Sequence, residues 1–181
     1  MKGMVFTEFV EMVESKFSPE IADQMIVNAN VESGAAYTSV GVYSHHEMLA
    51  LVTELSALTN VPVPQLVRSF GEYLLGSFVA GHPQFFEGMD SAYSFLASVN
   101  DTVHMEVLKL YPDAELPHFD TERSGEKMVM VYRSSRPFAD LAEGLILATC
   151  DHFKENITVQ REDSRNGDDY VSRFTLIKSI I

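Results

Sequence analysis

A single cysteine, Cys150, stands in a chain of 181 residues. Without a partner it can form no intramolecular disulfide, and it cannot build a thiolate-rich zinc or iron–sulfur site. That scarcity fits a reducing, cytoplasmic setting. Cations are few as well: 13 Lys and Arg stand against 26 Asp and Glu, a net charge of −13 with His neutral. Phosphate polymers and anionic membranes are bound through clustered cations, so nucleic acid is excluded as a partner on electrostatic grounds. Long apolar runs are missing too. Leu74 to Ala80 is short and broken by Gly76 and Ser77, far from the ~18 residues of a membrane span. The start, Met1-Lys2-Gly3-Met4, carries one cation and then meets Glu8, Glu11 and Glu14, which is not a secretory signal. The expectation is a cytoplasmic protein with no membrane insertion.

Hydrophobic residues make up 46% of the chain and charged ones 22%, a balance that argues for a folded core over disorder. Residues 1–181 have the size of one domain, with sub-lobes expected roughly over 1–60 and 61–181. About 70% of the unfolded surface of such a chain can be buried, so a core and an internal cavity are both feasible.

Phe6, Phe9, Val10, Val13 and Phe17 recur at helical spacing. Ser18 as N-cap and Pro19 at the first helical position open a second helix, to about Asn28. Ser44 with Glu47 reads as a capping box before a third helix, and Pro62 and Pro64 mark a fourth that carries Leu66 to Phe78. Pro83 opens a further helical stretch, and a long helix is expected from about Asp90 to Tyr111, stopped by Pro112. Beyond Pro117 strands appear: Met128 to Tyr132, then Ile157 to Glu162 and Tyr170 to Ile177 joined across Asn166-Gly167, with a helix from Phe138 to Lys154 between them. Helices first, then a small antiparallel sheet crossed by one helix, make the fold class α+β.

Several motifs fail on inspection. His46-Glu47 begins a zinc-protease pattern, but Ala50 replaces its second histidine, so His45 and His46 read as solvated surface. Gly71, Gly76 and Gly81 lack the following Lys-Ser/Thr of a phosphate loop. No nucleophile elbow or Cys/His dyad is present, and Cys150 reads as a small core or near-surface side chain.

Two features remain. On a wheel of ~100° per residue centred on Val103, Leu96, Val99, Val107 and Leu110 form a buried stripe, and His104 falls on its shoulder beside Tyr111. Asn100 and Leu108 flank it one turn away, so no carboxylate holds it charged. It is either a core histidine bonded to backbone or a neutral imidazole of the kind that serves as a single axial ligand to haem iron. The second feature is Tyr132-Arg133-Ser134-Ser135-Arg136. In an extended chain Tyr132, Ser134 and Arg136 share a face over roughly 13 Å. They form either an exposed strand face or a donor strip for a ligand with two carboxylates, with Arg136 supplying a forked pair.

The spacing joins the two. His104, twelve residues, Pro117, fourteen residues, then Tyr132-x-Ser134-x-Arg136 spans thirty-three residues. This pattern resembles the signature of the haem nitric oxide/oxygen binding family (H-NOX), stand-alone bacterial relatives of the haem domain of soluble guanylate cyclase. The likeness extends to Met1-Lys2-Gly3, Ser69-Phe70-Gly71-Glu72-Tyr73 and Glu143-Gly144-Leu145, and so to essentially the whole chain.

The resemblance implies a non-covalent haem b, an iron ligated by His104, propionates bound by Tyr132, Ser134 and Arg136, and Pro117 pressed on the porphyrin. It implies no zinc, since some relatives build such a site from several cysteines. Relatives that hold oxygen carry a distal tyrosine where this chain has Leu141, and the other expected lining positions, Val5, Phe9, Phe78 and Leu145, are apolar. The implied function is a nitric oxide sensor, not an enzyme, that binds NO and CO without a lasting oxygen complex. Nitric oxide would weaken the bond from iron to His104, and the lobes would shift, with Gly71 as a hinge. The output would lie on another chain, a histidine kinase or a cyclic-di-GMP enzyme (diguanylate cyclase or phosphodiesterase). Two other readings stay open: a peroxidase-type haem enzyme, and a carrier of another planar dicarboxylate. If His104 is not the ligand, His118 and His152 are next in line.

Overall fold

Helix-forming signals near the N-terminus translate directly into structure in the computed structural model of the chain, which describes residues 1–179. α1 (Gly3–Lys16) buries Phe6, Phe9, Met12 and Val13. Ser18 Oγ then accepts from Ile21 N at 3.2 Å, with Pro19 as the first residue of α2 (Pro19–Ala29); this satisfies one of the free amides at the helix start. Ser44 caps α3 (His45–Thr59) by accepting from His46 N at 3.2 Å. The capping box expected there does not form. Glu47 accepts instead from Ser33 Oγ at 2.6 Å and Tyr37 Oη at 2.9 Å, which ties the preceding loop onto α3. α4 (Val63–Gly81) completes this helical cluster, whose core joins Phe9, Met25, Leu51, Leu55, Phe70 and Leu74.

The stretch after Pro83 is only a 3-10 turn, Pro83–Phe85. The long helix expected from Asp90 to Tyr111 is also broken. α5 (Ala92–Ser98) is capped by Ser91 and Ser94, a π-turn covers Asn100–His104, and α6 (Met105–Leu110) follows. His104 N donates to Val99 O at 2.9 Å, the i to i−5 bond of the π-turn. One extra residue in a turn displaces everything after it by about 100°. The straight wheel therefore fails beyond this point: Leu110, placed on the buried stripe, is 72% exposed.

Four antiparallel strands lie in the order β1-β2-β4-β3: β1 (His118–Ser124), β2 (Lys127–Ser134), β3 (Ile157–Asn166) and β4 (Asp169–Lys178). α7 (Ala139–His152) connects β2 to β3. Met128, Met130 and Tyr132 alternate inward from β2 and meet Phe174 and Leu176 of β4, in register as Met130 opposite Phe174. Tyr93, Phe95, Leu96 and Ile146 cover this face and form the second core. β1 was not expected. It is a polar edge strand exposed along nearly its whole length, so it carries no apolar alternation to read.

α4 and α7 cross at Gly71 and Gly144. A Cβ on Gly71 would stand 2.3 Å from Leu141 O, and one on Gly144 would stand 2.0 Å from Arg68 O. Both glycines are therefore contact residues that let two backbones touch. Gly71 lies within continuous helix, and its observed role is this close approach rather than a break in the chain. The architecture is α+β.

Candidate functional site

Between the two cores lies a cavity of about 600 Å³, within the range of small-molecule and cofactor sites. α4, α7 and β2 supply one side through Leu74, Phe78, Leu141, Leu145, Tyr132 and Ser134. Val99, Val103 and His104 of the broken helix supply the other, continued by the segment to Pro117.

Among the described residues no group hydrogen-bonds to the His104 ring. Its nearest aromatic neighbour is Phe119, with ring centroids 6.1 Å apart. Burial first, and the nearby His118 second, push its pKa down to about 4, so the ring is neutral at pH 7 and presents a free nitrogen lone pair. The backbone-bonded core histidine is thus not what the structure contains. The π-turn aims the ring: Asn100 Nδ2 donates to Phe119 O at 2.5 Å and Phe119 N donates to Asn100 Oδ1 at 3.3 Å, which fastens the turn to β1.

Tyr132, Ser134 and Arg136 do converge on the cavity, though not along one extended strand. β2 ends at Ser134, and the chain bends back. Tyr132 Oη donates to Arg136 O at 3.1 Å, and Arg136 N donates to Ser134 Oγ at 3.1 Å. The Tyr132 proton is committed to this bend, and burial raises the phenol's pKa further, keeping it un-ionised. The Ser134 hydroxyl proton and the remaining guanidinium N–H groups of Arg136 are the donors that a carboxylate could take.

Pro117, Val5, Phe78, Leu141 and Leu145 all line the same cavity. Phe9 does not: it stacks edge-on against Phe70 at 5.1 Å and borders a separate small void behind Val5 and Leu141. His118 is exposed and pairs with Asp120 at 3.1 Å, while His152 packs on Phe86 and Phe153; neither reaches the cavity. His45 departs from the surface reading. It is half-buried, its ring edge turned to Phe138 at 6.3 Å, and burial lowers its pKa. Sequence reasoning missed Lys2, Tyr111 and Glu115 as cavity residues; only their tertiary contacts reveal them.

An apolar chamber with one unpartnered neutral imidazole on its wall and a serine–arginine pair at its rim suits a planar, iron-bearing dicarboxylate. The family model described as haem-NO-binding matches residues 2–161. The chain belongs to the H-NOX family. Two solved structures of the K. algicida H-NOX protein in the Fe(II) unliganded state are similar to it. One is 34% identical, covers 100% of this chain and 98% of its own, and has a TM-score of 0.92; the other, a mutant, is 35% identical over 99% and 97%, at 0.91. An S. oneidensis H-NOX protein in the Fe(II)NO ligation state is 22% identical over 99% and 100%, with a TM-score of 0.88, and at that identity speaks to the fold alone. Among curated proteins nothing matches. Membership makes this H-NOX chain a haem-binding domain that senses gas ligands and not an enzyme, which sets aside the peroxidase-type reading. No described helix is long and apolar enough to cross a membrane.

Proposed function

We propose that this H-NOX protein is a nitric oxide sensor in which His104 ligates the iron of a non-covalent haem b. The observation that carries this reading is the neutral, unpartnered His104 ring on the wall of an apolar cavity of about 600 Å³. Haem would supply an iron centre able to bind a diatomic gas. Ser134 and Arg136 would hold its carboxylates, with Tyr132 fixing the bend that presents them. Pro117 would press on its face, as one of the few rigid residues in that stretch of wall.

Val5, Phe78, Leu141 and Leu145 decide the gas. None carries a hydrogen-bond donor, and charge building on bound oxygen needs one far more than NO or CO does. The nearby Thr149 hydroxyl is spent on Leu145 O at 2.7 Å. The chain therefore favours NO and CO over O2.

His104 also tethers the π-turn and α6 to whatever it ligates. Neither element fully buries a residue, so release of the imidazole leaves this segment weakly held. Its displacement would alter the surface next to α1 and β1, and a partner chain that distinguishes the two arrangements would read it. A histidine kinase or a diguanylate cyclase or phosphodiesterase in the cytoplasm is the expected reader. The net charge of −13 points to a basic docking face on that partner.

Purified protein, reduced and titrated with NO, CO and air, tests this by absorption. New absorption bands with NO and with CO, and no lasting oxygen complex in air, are expected. His104→Gly should lose the parent ferrous spectrum and regain it with imidazole. A His104→Gly spectrum identical to the parent assigns the iron elsewhere, and a colourless protein that ignores haemin favours a carrier of another planar dicarboxylate.

A further inference from the structure

Every residue from Leu110 to Pro117 lines the cavity, yet after Leu110 none of them belongs to a helix or strand. The cavity opens along this stretch: Leu110 and Val42 both line it while being 72% and 70% exposed. One backbone turn, Ala114 N to Tyr111 O at 3.0 Å, shapes the segment. Among the described residues two polar side-chain contacts hold its ends. The Tyr111 ring lies under Lys2 Nζ, 3.4 Å from its centroid, and the same ammonium donates to Val40 O at 3.2 Å. At the other end Arg136 Nη2 donates to Glu115 Oε2 at 2.5 Å. Lys2 precedes α1, whereas Arg136 follows β2. The segment is therefore pinned to the helical cluster at one end and to the sheet at the other.

We infer that Tyr111 to Leu116 is a strap closing the cavity mouth over the cofactor's carboxylate edge, and that Glu115 is a positioning residue that holds Arg136 in its binding orientation. This rests on the haem reading above. A guanidinium offers five N–H donors in a fixed plane, so a carboxylate on one edge leaves the rest for a second carboxylate. The Glu115 side chain is 71% exposed and that of Arg136 17%. Glu115 thus grips the guanidinium from the solvent side, and Arg136 itself lines the cavity. Arginine carries several freely rotating bonds, and fixing one edge before the ligand arrives removes part of the ordering cost of binding. The Lys2 ammonium on the Tyr111 face is an electrostatic contact as well. Both anchors are open to solvent, so added salt weakens them.

The test is transfer of haem from the ferric holoprotein to an excess of apomyoglobin, followed by absorbance at low and high salt. The proteins are the parent, Glu115→Gln, Tyr111→Leu and the double variant. Each single change should speed haem loss about twofold to fivefold, the scale of an exposed ion pair or cation–π contact. The double variant should fall short of the product of the two, because freeing either end already opens the strap. Salt should speed loss from the parent more than from the double variant. Variants that hold haem and lose it at the parent's rate, or a double variant that reaches the full product, overturn the strap while leaving the sensor reading intact. A parent that takes up no haem overturns both. Glu115 is exposed, so Glu115→Gln carries the test if Tyr111→Leu does not fold.

Discussion

The two sides of the cavity are built in opposite ways. On one side α4 and α7 touch backbone to backbone through Gly71 and Gly144, and β2 lies against both with Met128, Met130 and Tyr132 fully buried. An ionic cluster staples the outside of this wall. Arg161 Nη1 donates to Asp140 Oδ1 at 2.6 Å and Glu143 Oε2 at 2.9 Å, and its Nε donates to Asp163 Oδ1 at 2.7 Å. The opposite side is a five-residue π-turn, the six-residue α6 and a strap of turns, none of which fully buries a side chain. Partly buried Val103 packs against the second core, and one asparagine bridge and two solvent-exposed electrostatic contacts complete its attachment. A sensor needs this asymmetry. Under the proposed function, the ligand-facing wall would keep its shape to select a gas, while the wall bearing His104 would move when its bond changes. Local stability follows buried contact, so the side that bears His104 is the less stable of the two.

Three experiments break or sharpen that contrast, the largest effect first. Cys150 lies deep in the rigid wall, 3% exposed on α7. Burial, then Asp151 and Glu155, push its thiol from the ordinary 9.0 up to about 12. A shift of that size lowers the thiolate fraction at pH 8 about a thousandfold, and only the thiolate reacts. Alkylation of the native protein should therefore be slower than that of denatured protein by at least that order, measured by mass spectrometry. The sign for stability follows. Below pH 9 both states keep the thiol protonated and nothing is lost; between pH 9 and about 12 the unfolded chain ionises first, so stability falls as pH rises. Fast native labelling would mean that α7 opens readily and the wall is not rigid.

Gly144→Ala comes next. The added methyl would stand 2.0 Å from Arg68 O, a backbone atom that cannot swing aside. Helices forced apart across a packed core lose about 1–3 kcal/mol, and here the upper part of that range is expected. Urea denaturation should show the midpoint fall with an unchanged slope. A neutral result would show that the two helices slide apart easily, and the contrast between the walls would disappear.

Much of the helical cluster and of the sheet was legible because their signals are local. Ser18-Pro19 marks a helix start by capping, Asn166-Gly167 marks the β3–β4 hairpin by turn chemistry, and Met128, Met130 and Tyr132 alternate as a half-buried strand must. His104, Tyr132, Ser134 and Arg136 line one cavity; the resemblance to a family signature grouped them, and their residue pattern alone left other readings open. The side that bears His104 was read poorly for physical reasons. A π-turn costs one backbone register and no residue type announces it, so Leu110 was put on the wrong face. β1 hides because both of its faces meet water. Phe9 was placed in the cavity when it stops one layer behind, and no periodicity distinguishes first from second layer. Glu115 and Arg136 lie twenty-one residues apart, and their pairing exists only once the chain has folded.

Asn100→Ala carries the smallest effect and addresses the His104 side directly. Its amide makes both bonds to the Phe119 backbone, and half-buried backbone groups left without partners cost about 1–2 kcal/mol less whatever water supplies. If the π-turn were welded into the fold, that loss would appear in the global denaturation midpoint. The loose attachment of Asn100 to Leu110 predicts otherwise. The global unfolding free energy should fall by no more than about 0.5 kcal/mol, because the turn already contributes little to global unfolding, whereas the amides of 100–110 should exchange with solvent about tenfold faster. Hydrogen exchange by mass spectrometry resolves the two cases on one sample. Faster exchange confined to this segment, with α4 and α7 unchanged, means that the His104 side opens as a unit of its own. Acceleration spread evenly over both walls would mean that they form one cooperative body, and movement of His104 would then have to be transmitted through the whole fold.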